Sequence, residues 1–239
     1  MKKTLTYLFS LVLVGCLVFL YSFSSARNYH KKINETPIEF VEGANYFLTQ
    51  AMVNKLLIQN HKGVKNQAKS VIDLQGLEYS ILANPYIESA TVFYTIDGVL
   101  KTIVKQRTPV ARVQAFNAAY YIDKQGVEVP LSDSYSARVI LITGHVKKKD
   151  LKKITGFVNV ILADDFLKKE VIGIHKKKNE EFILSVRSGS YKIELGYLNK
   201  INTKFSKLKA FYNLAMQDKT IDKYKTINLK YHNQVVCAK

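Results

Sequence analysis

Cysteine is almost missing from this chain, with Cys16 and Cys237 the only two among 239 residues. Cys16 lies in a long apolar run and Cys237 two residues from the last position, so no internal disulfide is expected. Paired metal ligands are missing as well. His30, His61, His145, His175 and His232 are scattered, and none stands at ligand spacing from a cysteine or an acid. There is no glycine-rich phosphate loop and no Gly-x-Ser-x-Gly elbow. The adjacent acids Asp164-Asp165 and Glu180-Glu181 make poor acid/base pairs, because neighbouring side chains on a helix point apart. A non-enzymatic protein with no catalytic, metal-binding or cofactor-binding residues is the expectation.

Acids are scarce too. Nineteen Asp and Glu face 36 Lys and Arg, for a formal net charge of +17. The lysines come in groups at 147–149, 152–153, 168–169 and 176–178. Such groups read as a solvated face, or as a surface drawn to anionic lipid headgroups or cell-wall polymers. They form no nucleic-acid-binding motif, so no nucleic-acid partner is expected.

Charge is absent altogether from residues 4–23, a run of twenty. At about 1.5 Å per residue, roughly twenty apolar residues cross a hydrocarbon core of about 30 Å. Lys2 and Lys3 precede the run, but Arg27, Lys31 and Lys32 follow it, so charge alone leaves the orientation open. Size decides it: a head of three residues at 1–3 is too short to be a translocated domain, which puts the body outside. Two rival readings share the segment. Ser24-Ser25-Ala26 offers small residues for signal cleavage, and Leu13-Val14-Gly15-Cys16 matches a lipobox. The expectation is an uncleaved single-pass membrane anchor, since the run stays apolar past Cys16 and outlasts a usual signal core.

Hydrophobic residues make up 47% of the chain, enough for a substantial core in one large or two small domains behind the anchor. Residues 24–35 read as a polar linker. A short strand is expected in 37–43 and a helix over 47–58, followed by a second helix capped by Asp73 and stopped at Asn84-Pro85. Strands at 89–95 and 99–105 flank the Ile96-Asp97-Gly98 turn. The order is β-α-α-β-β.

Beyond Pro109, strands are expected at 120–123, 127–131 and 138–143. A helix capped by Asp150 is expected over 150–169, then strands at 171–176, 181–187 and 191–195 and a helix over 200–216. From Thr226 onward Ile227, Leu229 and Tyr231 alternate with Asn228, Lys230 and His232, which predicts a closing strand with one buried and one wet face. The fold class is α+β: one transmembrane helix, a β-α-α-β-β module, then a mixed β domain with flanking helices.

That module order beside an anchor is the order of a POTRA domain. Several stretches then match one family in sequence order. Asn84-Pro85-Tyr86-Ile87-Glu88-Ser89-Ala90 resembles the end of the POTRA module in the bacterial division family FtsQ/DivIB, and Gln106-Arg107-Thr108-Pro109-Val110-Ala111 resembles its domain junction. Tyr121-Ile122-Asp123 with Gly126 and Pro130-Leu131 is similar to its first β-domain hairpin. Tyr191 to Gly196 with Lys204 and Leu208 is similar to its strand-to-helix passage, and residues 227–236 resemble its terminal strand. Asn228 and Lys230 stand where an acid and an arginine are common.

The resemblance implies domains at 1–3 (head), 4–23 (membrane helix), 24–35 (linker), 36–107 (POTRA-like) and 108–239 (β domain). It implies a divisome scaffold in the cytoplasmic membrane at the septum, with its body outside. FtsB- and FtsL-like coiled-coil proteins are the implied partners, with the wall-synthesis pair FtsW and FtsI nearby. Strand addition by the FtsB-like partner maps to Ile227, Asn228, Leu229, Lys230, Tyr231, His232, Asn233, Gln234, Val235 and Val236, with Tyr231 the first choice for a contact. For Ile227 and Leu229 ordinary core packing is the favoured reading. Two alternatives remain: an anchored or lipidated binder of wall polymer or lipid, and another POTRA-bearing assembly protein.

Overall fold

The computed structural model describes residues 2–29, 32–33, 36–41, 47–60, 67–115, 118–218 and 220–239. The chain divides into two compact units, Met1–Gln106 and Arg107–Lys239.

The first unit begins with helix α1, Lys2–Tyr29. Within it, Tyr7–Arg27 is long and apolar enough to cross a membrane. The helix continues through residues 24–29, where a linker was expected. Neither proline nor glycine lies in residues 24–29, so nothing there breaks the helix.

Strand β1 (Ile38–Phe40), helices α2 (Gln50–Asn60) and α3 (Leu74–Leu82), and strands β2 (Ile87–Tyr94) and β3 (Leu100–Gln106) then follow in the anticipated order. The Asp73 carboxylate accepts from the Gly76 N–H at 3.0 Å, which caps α3 as expected. The strands form a sheet in the order β1-β3-β2, with β1 parallel to β3. Its inward residues Ile38, Val92, Leu100 and Val104 meet Leu77 and Ile81 of α3 in burial, each under a tenth exposed. Gln106 ties in the chain ahead of α2: its Oε1 accepts from the Phe47 and Leu48 N–H groups and its Nε2 donates to the Leu48 carbonyl.

The second unit holds β4 (Pro109–Ala115), β5 (Ala118–Asp123), β6 (Glu128–Pro130), β7 (Ile140–Gly144), α4 (Leu151–Leu162), α5 (Asp165–Glu170), β8 (Val171–Lys176), β9 (Phe182–Val186), β10 (Lys192–Gly196), α6 (Ile201–Gln217), β11 (Thr226–Asn228) and β12 (Val236–Ala238). All nine strands make one sheet, in the order β12-β11-β10-β9-β8-β7-β4-β5-β6. One inward row crosses it through Ile227, Ile193, Leu184, Ile174, Ile142 and Val113. That row joins the inward faces of α4 and α6 in a single core, where Phe157 of α4 stacks on Phe205 of α6 at 6.1 Å. The reverse face carries half-exposed polar groups such as Thr143 and Ser185 and exposed Lys192.

Three local readings change. Strand β4 was read only as a domain junction. It starts on a proline, which a strand tolerates at its first residue. The expected helix over 150–169 is two helices, because the Asp164 carboxylate accepts from the Phe166 and Leu167 N–H groups and starts α5 anew. Asp150 does not cap α4 through its side chain. Its carboxylate takes the Lys147 N–H and pairs at 3.1 Å with Lys176, which is itself buried. Gly144, at φ +93°, sits where an added Cβ would lie 2.2 Å from the Lys176 carbonyl oxygen, so only glycine fits.

Candidate partner-binding edge

The predicted closing strand is built as two short strands and a turn. β11 runs parallel to β10 with Ile193 opposite Ile227, and the Leu229 N–H extends the ladder to the Glu194 carbonyl at 2.9 Å. Ile227 and Leu229 are fully buried core, as the packing reading has them. Alternation then stops. The Asn228 side-chain oxygen takes the Lys230 N–H at 2.9 Å, which bends the chain in the manner of an Asx turn. Tyr231, His232 and Asn233 form an exposed bend, not a strand. Lys207 of α6 donates to the Tyr231 and His232 carbonyls from below. Tyr231 itself is 50% exposed.

The chain returns antiparallel as β12, with Thr226 opposite Ala238, Ile227 opposite Cys237 and Asn228 opposite Val236. β11 is therefore covered on both sides, and the sheet edge is β12. Of residues 227–236, Val236 alone lies on the edge strand, which Cys237 and Ala238 complete. Val235 and Cys237 are half-buried against the core, whereas Gln234 and Val236 are exposed. Burial pushes the Cys237 thiol up, so it packs as a small neutral side chain. The signal that could have found the edge is the polar run His232-Asn233-Gln234, a turn composition set inside an otherwise alternating segment.

A charged lattice sits beside the edge. Lys230 pairs with Glu181 at 3.0 Å and with Glu194 at 3.2 Å, and Asn228 donates to Glu194 at 3.2 Å. The hydrogen bond from Lys230 holds the Glu181 carboxyl below its ordinary range and raises the Lys230 ammonium in return. At the end of β10, Lys204 of α6 is buried and makes no ion pair among the described residues. It donates to the Leu195 and Tyr197 carbonyls and the Asn199 side-chain oxygen, and burial lowers its pKa.

Glu180 and Glu181 separate, the first to Lys176 and the second to Lys230, and His175 meets Thr143 at 3.0 Å. Among the described residues no three His, Cys, Asp or Glu side chains gather where a metal would sit. What the edge offers is a backbone ladder with no strand on its outer side among the described residues, a template for another chain.

The model of the family described as FtsQ/DivIB, C-terminal related, matches residues 108–238. The chain belongs to that family. The match runs from the start of β4 through the last residue of β12, so it takes in the whole nine-stranded sheet. Among solved structures, the chain is similar to the major extracytoplasmic domain of the trans isomer of the bacterial cell division protein DivIB from Geobacillus stearothermophilus. The identity is 16%, the likeness covers 49% of this chain and 98% of that one, and the TM-score is 0.34. No curated protein matches the chain.

Proposed function

We propose that this FtsQ/DivIB family member is a membrane-anchored cell division scaffold, held by α1 with its body on the outer side. In this reading it takes a strand from an FtsB-like partner on β12. The observation that carries the proposal is that, among the described residues, the outer side of β12 faces no other strand, in a sheet that the family match covers completely. Strand addition draws affinity from main-chain hydrogen bonds and specificity from the flanking side chains. Tyr231, half-exposed at the bend before the edge, is the flanking aromatic best placed to supply that specificity. An FtsL-like coiled-coil protein is the second partner in this reading, with FtsW and FtsI nearby at the septum. The role is one of binding, without catalysis.

Full-length protein carrying Tyr231→Glu tests the contact. The expected outcome is loss of co-purification with the FtsB-like coiled-coil protein at an unchanged melting temperature. Retention of the complex would place the contact elsewhere. A fluorescent fusion tests the cellular role: signal collected at midcell supports it, and uniform membrane signal counts against it.

A further inference from the structure

The second unit carries most of the excess charge, 25 of the 36 Lys and Arg against 12 of the 19 acids, a net of +13. One part of that charge surrounds a cleft of about 390 Å³ at the starts of the parallel strands β4, β7 and β8. Lys124, Arg138, Lys168 and Arg187 line it, and no acid does. All four are exposed, and none makes an ion pair among the described residues. Two nearby acids are already engaged: Glu170 takes Ser188 and Tyr212, and Asp164 takes Lys209. The floor is apolar, with Val139 half-buried and Ile172 43% exposed.

We infer that this cleft binds the phosphate headgroup of an anionic membrane lipid. Four unneutralised cations around an apolar floor match an anion that carries an apolar stem, and the volume falls within the usual range for a small-molecule site, about 300–1,000 Å³. Guanidinium groups suit phosphate through paired donors, and Arg138 and Arg187 supply two. A free inorganic anion would leave the floor unused, and an acidic peptide is served as well by the other exposed lysine groups. In the proposed reading α1 anchors the chain in a membrane, so anionic lipid is at hand. The inference rests on anchoring but not on the β12 contact, and the two fail separately.

The test uses full-length protein in a neutral detergent, with bound lipids counted by native mass spectrometry during titration with phosphatidylglycerol. Phosphatidylcholine and inorganic phosphate are the comparison arms. One phosphatidylglycerol is expected to bind in preference to phosphatidylcholine. Each Lys or Arg near an anionic lipid contributes about fivefold, so Arg138→Ala with Arg187→Ala is expected to weaken binding by roughly thirtyfold. Lys178→Ala with Lys223→Ala removes the same charge elsewhere and is expected to change binding less than twofold. Both doubles lie at exposed residues, and equal melting temperatures show that they fold. Equal losses in the two doubles would mean bulk charge attraction and overturn the site, as would no loss in either. Phosphate competing as strongly as the lipid would overturn the lipid assignment. Loss of a division partner, with lipid binding intact, would reassign the cleft to an acidic peptide.

Discussion

β11 and β12 are neighbours in one sheet, seven residues apart in the chain, yet they answer to different forces. β11 and the residue after it place Ile227 and Leu229 fully inside the core, and β11 has strands on both sides. At β12 only Cys237, with Val235 just before it, is partly buried, and among the described residues its outer side faces no strand. Packing determines the first strand, whereas the second keeps an open outer side among the described residues. The difference teaches that the alternating pattern of a terminal segment marks the strand that holds the sheet, and that the edge of the sheet lies past the turn that ends the pattern.

Ile227→Ala probes the packed side and carries the largest expected effect, a loss of about 2–5 kcal/mol in urea unfolding, because a fully buried side chain leaves a cavity. A loss below about 1 kcal/mol would show that β11 is no more fixed than its neighbour. Lys204→Met comes next. It leaves the Leu195 and Tyr197 carbonyls without their shared donor beneath β10, and the expected loss is about 1–3 kcal/mol in the same assay.

Acid sharpens the comparison further. A carboxylate whose folded pKa is depressed adds stability above its unfolded value, about 4, and that stability is lost as pH falls through the folded value. The hydrogen bond from Lys209 depresses Asp164, and that from Lys230 depresses Glu181, so thermal melts should fall between pH 5 and lower pH. The Glu181 share is below about 1 kcal/mol because the pair is partly exposed, and Lys230→Ala should remove it. An identical acid profile in Lys230→Ala would show that the lattice beside the edge adds nothing. Tyr231→Ala gives the smallest change, within about 0.5 kcal/mol of the parent by urea unfolding, as befits a half-exposed bend residue.

Much of this was legible because apolar periodicity reports burial. Leu77 and Ile81, Leu151 to Ile161, and Ile227 with Leu229 all fell on the faces that the structure buries. Two kinds of feature were not. Where one polar side chain decides, the pattern is silent: Asp164 starts a new helix in the middle of an amphipathic stretch, and Asp150 prefers the buried Lys176 to the helix it precedes. Short edge strands escape as well. Val236 to Ala238 bury too little to show a period, and Tyr231 continued an alternation that the Asn228 turn had already ended. The cleft at Arg138 and Arg187 joins residues far apart in sequence, so no motif marks it.

Amide hydrogen exchange on the full-length protein, with and without the FtsB-like partner, tests the central claim most directly. Residues 227 and 229 should be protected in both states, and those amides of 236–238 that point away from β11 should slow only when the partner is added. Protection that appears elsewhere, while 236–238 exchange unchanged, would contradict the account.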